Sequence, residues 1–161
     1  KKGAAIMKLD KIYKAVISNL FSERHPFWYI SVRDTETYIT DTRVMFFIPD
    51  RYNIFCNLSD KVYAGHYVCD CREWLEKTDK YLNRNPLKNT GEVREVSGYR
   101  CYVLRDSAGD EFFVEKKYLD YFDKDCKLYN GSTTETFLLN KNTPVAVYEH
   151  GVRVGVIINR I

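Results

Sequence analysis

The chain has 161 residues, of which 45% are hydrophobic and 29% are charged, and its formal net charge is +3. These values are typical of a globular protein and exclude a disordered chain, and no apolar run approaches the roughly 18 residues that a membrane helix needs. The length suits one domain, and the net charge is too small to demand a nucleic-acid partner, so the distribution of the charge has to decide that question.

The cysteines and the first residues predict a cytoplasmic protein with no membrane partner. Five cysteines are an odd number at irregular spacing, which is typical of reduced thiols rather than of a disulfide framework. The opening KKGAAIM is basic, but its apolar stretch is too short for a signal peptide. The many Lys, Asn, Ile and Tyr residues are those favoured by A/T-rich codons, which suggests a low-G/C bacterium or its phage, and we expect a protein encoded by a phage or mobile element.

An amphipathic helix is the first predicted element. Apolar residues recur with a 3.6-residue period over residues 9–20, and the opposite face carries Lys8, Lys11 and Lys14, each one turn from the next. After Pro26 the residues become β-branched and aromatic, with short turns between segments 27–33, 37–40 and 43–49. This pattern predicts an antiparallel meander of three strands.

The middle of the chain, residues 53–98, is less regular. Asp70 is a candidate N-cap for a helix that reaches residue 82. The segment from Asn83 to Gly91 is rich in Asn and also holds Pro and Gly, which predicts a loop. Residues 92–97 are charged, and their sequence does not distinguish a helix, a strand or a loop.

Strand patterns return after Gly98. Segments 99–105 and 110–115 predict a hairpin, followed by a short helix over 116–122 and by strands at 126–130, 135–139, 144–149 and 152–158. His150 and Gly151 form a predicted two-residue turn, because both residue types tolerate a positive φ angle.

Both ends of the chain repeat one order of elements, namely strand, helix and then a meander. The prediction is a single α+β domain over residues 1–161, in which an antiparallel sheet packs on helices. Its pseudo-repeated halves cover about 4–52 and 99–161, with 53–98 as a connector or insertion. An ordinary α+β domain without a repeat is the alternative.

Two segments of the second half, FFVEKKYLDYFDKDCKLYNG and NTPVAVYEHGVRVGVIINRI, resemble the final half-domain of bacterial DNA sliding clamps. The matching positions are Phe113, Lys117, Tyr118, Leu119, Gly131, Pro144 and Arg160. The N-terminal MKLDKIYKAVISNL and ITDTRVMFFIP are similar more loosely, and residues 53–98 lie outside the resemblance. Clamps commonly have a Pro and a Met before the terminal Arg, whereas this chain has Asn159. The resemblance implies helices that face DNA, and a ring would require several copies of this chain.

Under this resemblance five lysines share one surface: Lys8, Lys11, Lys14, Lys116 and Lys117. Such a surface contacts phosphates without reading bases. The expected partner is double-stranded DNA or a DNA-handling protein, and homo-oligomerisation is left open. Neighbouring aspartates, namely Asp10, Asp120, Asp123 and Asp125, would weaken the positive field.

A metal site is a less favoured interpretation, and we expect no metal and no cofactor. His66, Cys69 and Cys71 offer three ligands, but zinc needs a fourth group, which would have to come from Cys56 or Cys101. Asp34, Glu36 and Asp41 could bind Mg²⁺ in a small metal-dependent hydrolase. Acidic residues at turns more often bond the turn backbone instead.

The chain is therefore not expected to be an enzyme, since no phosphate-binding loop and no nucleophile signature are present. Another alternative is an inhibitor that docks on a host nucleoprotein enzyme. It would use the aromatic residues of segments 49–55 and 65–68, because aromatic side chains are enriched at protein interfaces.

Overall fold

A computed structural model describes residues 7–20, 29–33, 36–41, 43–49, 85–130 and 144–160. The helices there are α1 (Leu9–Leu20) and α2 (Lys116–Leu119). The strands are β1 (Tyr29–Arg33), β2 (Glu36–Thr40), β3 (Val44–Pro49), β4 (Asn85–Val96), β5 (Tyr99–Arg105), β6 (Glu111–Glu115), β7 (Lys127–Asn130), β8 (Pro144–Glu149) and β9 (Val152–Ile158). Neither described helix is long and apolar enough to cross a membrane.

All nine strands belong to one sheet with the order β1-β2-β3-β9-β8-β7-β4-β5-β6. Every adjacent pair is antiparallel. An isolated antiparallel bridge also joins Phe113 of β6 to Arg160, two residues after the end of β9. Strands β4 to β9 therefore form a closed circuit of neighbours, and β1 to β3 extend the sheet from β9.

The predicted α+β class, with an antiparallel sheet and helices, is confirmed. The first helix, the β1-β2-β3 meander, the β5-β6 hairpin and the strands β7, β8 and β9 lie within a few residues of the predicted positions. The β8-β9 turn has the expected positive φ angles, 50° at His150 and 79° at Gly151. The predicted helix over 70–82 and the strand at 135–139 lie outside the described residues.

Two predictions are wrong. The predicted loop over 83–91 is, from residue 85 onward, part of β4, which lies between β7 and β5 in the sheet. The expected connector therefore contributes its last residues to the sheet itself. Helix α2 ends at Leu119 instead of residue 122, because the next amides bond three residues back, from Tyr121 to Tyr118 and from Phe122 to Leu119.

The core lies between the helices and one face of the sheet. Ile12 and Val16 of α1 are fully buried in one cluster with Phe46, Leu119 and Phe122. The ring of Phe122 lies directly over Gly155 of β9. A Cβ atom at position 155 would lie 2.5 Å from Phe122 Cζ and 2.8 Å from the Met45 carbonyl oxygen, so only glycine fits there.

Strand β9 joins the two halves of the chain. The sequence pattern makes it an additional strand of the second half, but in the sheet it lies between β3 of the first half and β8 of the second. The two halves thus share one continuous sheet and the larger of its two buried clusters. The smaller cluster, of Tyr38, Met45, Phe47 and Val156, lies on β2, β3 and β9. The clamp-like repeat of the halves stays a prediction.

Candidate nucleic-acid interface

The first turn of α1 is fixed to the residues that follow α2. The Lys8 backbone N–H donates to the Tyr121 carbonyl oxygen at 3.0 Å, and the Lys8 ammonium group donates to the Asp120 carbonyl oxygen at 2.8 Å. Just before them, the Met7 N–H donates to the buried carboxylate of Glu149 at 2.6 Å. The start of α1 therefore lies next to the end of α2, the other helix predicted to carry basic residues.

Asp120 contacts two of the predicted lysines, Lys8 through its backbone carbonyl and Lys116 through its carboxylate. Lys116, one turn earlier in the chain, forms an ion pair with Asp120 Oδ2, and the Tyr102 hydroxyl donates to Asp120 Oδ1 at 3.1 Å. Partial burial alone would raise the pKa of Asp120, but the two hydrogen bonds together with the positive charges of Lys116 and Lys11 lower the pKa. The hydrogen bond to Asp120 raises the pKa of Lys116 in turn.

Lys11 reaches the same region from α1, with its Nζ atom 4.8 Å from the centre of the Tyr121 ring. Lys8, Lys11 and Lys116 thus surround the Asp120-Tyr121 pair, although their helices are far apart in sequence. The structure brings together these three of the five lysines that the sequence pattern singled out.

The other two predicted lysines extend this surface. Lys117 is exposed, and its Nζ atom lies 3.0 Å from the buried carboxylate of Glu115 and 4.5 Å from the centre of the Tyr118 ring. Lys14 is exposed one turn beyond Lys11. We refer to the five residues Lys8, Lys11, Lys14, Lys116 and Lys117 as the basic face.

Two cavities flank Asp120. The first, of about 420 Å³, has an apolar floor that includes Leu87 and Leu128, and Lys8 and Lys124 lie at its charged rim. The second, of about 340 Å³, lies between the β4-β5 turn and α2; we refer to it as the turn cavity. Five basic side chains line the two cavities against three carboxylates: Lys8, Arg100, Lys116, Lys117 and Lys124 against Glu115, Asp120 and Asp123.

The ion pair of Glu115 and Arg160 lies at the turn cavity, and its carboxylate is buried. Glu115, only 3% exposed, accepts from Arg160 Nε at 2.7 Å on one oxygen and pairs with Lys117 on the other. The guanidinium of Arg160 lies 3.9 Å from the centre of the Tyr99 ring. Sequence reasoning missed Tyr99 and Arg100 as site residues, although their position directly after Gly98 at a hairpin turn is a detectable signal.

The candidate metal ligands are mostly outside the described residues. This holds for Cys56, His66, Cys69, Cys71 and Asp34. Within the described ranges no group of three or more His, Cys, Asp or Glu residues could hold a metal ion. Asp41 instead accepts the N–H groups of Arg43 at 2.9 Å and Val44 at 3.0 Å, which is the turn-stabilising role expected of an acidic residue there.

A comparison with protein-family models, curated proteins and solved structures finds no match for this chain. The basic face has a distinctive composition. It joins ammonium groups from two helices to tyrosine rings around one carboxylate. Such a surface is suited to phosphate oxygens, which accept hydrogen bonds from lysines without any requirement for a base sequence.

Proposed function

We propose that this chain is a non-catalytic binding protein of DNA clamp-like fold, encoded by a phage or mobile element, which contacts double-stranded DNA through the basic face. One observation carries the proposal. Lys8 and Lys11 of α1 lie with Lys116 of α2 around Asp120 and Tyr121, so that the ammonium groups of two helices occupy a common surface. A DNA-handling protein is the alternative partner.

The charge balance favours contacts that are independent of sequence and sensitive to salt. Asp120 neutralises part of the positive field, since it already pairs with Lys116. Each phosphate that a lysine neutralises releases counterions, and the logarithm of the binding constant falls with the logarithm of salt concentration by about 0.9 per contact. Five lysines therefore allow a slope no steeper than about −4.5.

Fluorescence anisotropy with a short labelled DNA duplex, repeated over a series of salt concentrations, tests the proposal. We expect binding at low salt that weakens with a slope of about −3 to −4.5. If the protein does not bind the duplex at low salt, the proposal is wrong. That result would instead favour an inhibitor directed at a host nucleoprotein enzyme, because such a domain has no need to bind the bare duplex.

Encirclement of DNA is a separate question from binding. These 161 residues hold at most one pair of half-repeats, so a ring requires several copies of this unit. Sedimentation or light scattering of the protein alone and with duplex measures the number of copies. A strictly monomeric protein that binds duplex would establish side-on contact and exclude a ring.

A further inference from the structure

The turn cavity has features that phosphate contacts with a duplex do not use. It is lined by Gly98, Tyr99, Arg100, Glu115, Lys116, Lys117 and Asp120. Its volume of about 340 Å³ falls within the range of about 300 to 1,000 Å³ that is typical of small-ligand sites. It combines an aromatic ring with three cations, two of which, Lys116 and Lys117, also belong to the basic face.

The β4-β5 turn holds Tyr99 in place. Ser97 and Gly98 have positive φ angles of 51° and 79°, as in a tight two-residue hairpin turn, and Val96 pairs with Tyr99 across it. The turn itself is thereby fixed by the strands on both sides. Tyr99 therefore needs little further ordering when a ligand arrives, which favours binding.

Tyr99 is also more exposed than its position in the strand requires. Cys101 and Val103, which lie on the same face of β5, are fully buried, whereas Tyr99 is 40% exposed. Arg160 stacks on the ring and fixes it further. The result is a rigid aromatic ring that opens into a cavity.

Three basic side chains line the cavity together with the Tyr99 ring and could bind the phosphate of a nucleotide whose base stacks on that ring. Arg100 follows Tyr99 directly, and Lys116 and Lys117 also line the cavity, with Lys117 Nζ 5.9 Å from the centre of the Tyr99 ring. The carboxylate of Glu115 is held by Arg160 and Lys117, so its negative charge is largely compensated. Aromatic rings beside basic residues are the usual components of sites for single-stranded nucleic acid, in which bases stack on the rings.

We infer that the turn cavity holds an unpaired nucleotide, with its base against Tyr99 and its phosphate on Arg100, Lys116 and Lys117. This inference rests on the proposed function and specifies it further. The bases of an intact duplex are stacked inside the helix and do not reach the ring. The α1 lysines of the basic face, Lys8, Lys11 and Lys14, would then contact duplex DNA while the turn cavity takes a base from an adjacent gap, end or unpaired strand.

The first experiment uses the unmodified protein and three labelled DNA probes of equal length. They are a single strand of thymidines, a single strand of the same phosphates in which every base is missing, and a duplex. We expect the thymidine strand to bind about tenfold more tightly than the strand without bases, because stacking contributes about 1 to 3 kcal/mol per base. Equal binding of the two strands overturns the inference, and if the duplex still binds, the proposed function stands. Binding of none of the three overturns both.

A pair of variants assigns the effect to Tyr99. Tyr99→Leu removes the aromatic face, and the control Tyr99→Phe keeps it. We expect Tyr99→Leu to weaken binding of the thymidine strand about tenfold and to leave duplex binding unchanged, while Tyr99→Phe binds both probes as the parent does. An unchanged thymidine affinity in Tyr99→Leu, or an equal loss for the duplex, contradicts the inference. Should Tyr99→Leu fail to fold, the comparison of the thymidine strand with the strand without bases, made with the unmodified protein, still tests the inference.

Discussion

The ammonium group of Lys8 donates a hydrogen bond of 2.8 Å to the carbonyl oxygen of Asp120, which lies 112 positions further along the chain. This bond ties the first turn of α1 to the end of α2. Lys11 and Lys116 approach the same region, so the positive charge of two distant segments is concentrated around one aspartate. The proposed DNA binding depends on this concentration of positive charge.

Neutralising Asp120 should strengthen DNA binding. The Asp120→Asn substitution removes the carboxylate that pairs with Lys116 and leaves the lysines in place. A unit charge at about 4 Å in water is worth about 1 kcal/mol, which corresponds to an affinity gain of about fivefold. Anisotropy with labelled duplex at low salt measures the gain.

Asp125→Asn is the control for this prediction. Asp125 is exposed and lines neither cavity, yet its substitution changes the net charge of the protein by the same amount. We expect little change in its affinity for duplex. An equal gain in both variants would show that overall charge, rather than the position of Asp120, controls binding.

Removing Arg160 should destabilise the protein. Arg160→Ala leaves the buried carboxylate of Glu115 with Lys117 as its remaining ionic partner. Breaking a buried pair from one side costs about 3 kcal/mol or more. The exposed pair of Arg105 and Glu111 is screened by water, so Arg105→Ala should cost much less. Urea unfolding of both variants gives the two losses. Equal losses would mean that Glu115 does not depend on Arg160.

A buried hydroxyl links α2 to the segment between β2 and β3. The Tyr118 hydroxyl donates to Asp41 Oδ2, and burial raises the pKa of Tyr118 far above its ordinary value, so it stays protonated throughout the neutral range. Tyr118→Phe leaves this carboxylate oxygen without its donor at a cost of about 1 to 3 kcal/mol. Tyr121→Phe serves as the control, since the Tyr121 ring packs edge-to-face on Phe46 and this contact survives the change. Thermal unfolding should show a lower midpoint for Tyr118→Phe than for Tyr121→Phe.

Cys126 should react slowly with alkylating reagents. Burial raises the pKa of its thiol from 9.0 to about 11, so little thiolate is present near neutral pH. Because the raised pKa belongs to the folded state, the stability that this group contributes is complete below about pH 9 and is lost as pH rises through about 11. Peptide mapping after iodoacetamide treatment measures the modification of Cys126 in folded and denatured protein. Equal rates of Cys126 alkylation in folded and denatured protein near neutral pH would contradict the raised pKa of this thiol.

Periodicity predicted the elements that have one buried and one exposed face. Helix α1 has a regular apolar stripe that includes Ile12 and Val16. Strands β8 and β9 were predicted from their apolar residues and the turn between them, but the structure buries successive residues in each, 145–147 in β8 and 154–157 in β9. Strand β4 has no such signal, because Leu87 is its only buried residue and the other residues of the strand are partly or fully exposed. Its pairing partners β5 and β7, rather than its own side chains, hold it in the sheet.

The candidate site was predictable in part. The lysine row on α1 and the lysines that begin α2 are local patterns, and the structure places three of these five residues together. The ion pair of Glu115 with Arg160 spans 45 positions, and the stack of Arg160 on Tyr99 depends on the bridge that brings the chain end to β6. Such contacts follow from the strand order of the whole sheet, which no local pattern contains.

Two matched pairs of substitutions test the central claim most directly. Lys11→Gln with Lys14→Gln removes two charges from the basic face. Lys88→Gln with Lys127→Gln removes two exposed charges from the opposite face of the sheet, since the neighbouring Leu87 and Leu128 lie in the core under the helices. Anisotropy with labelled duplex over a range of salt concentrations gives the salt slope for each pair. The first pair should weaken binding and reduce the slope by about 2, while the second should leave both unchanged. Equal effects of the two pairs, or no effect of the first, would contradict DNA binding through the basic face.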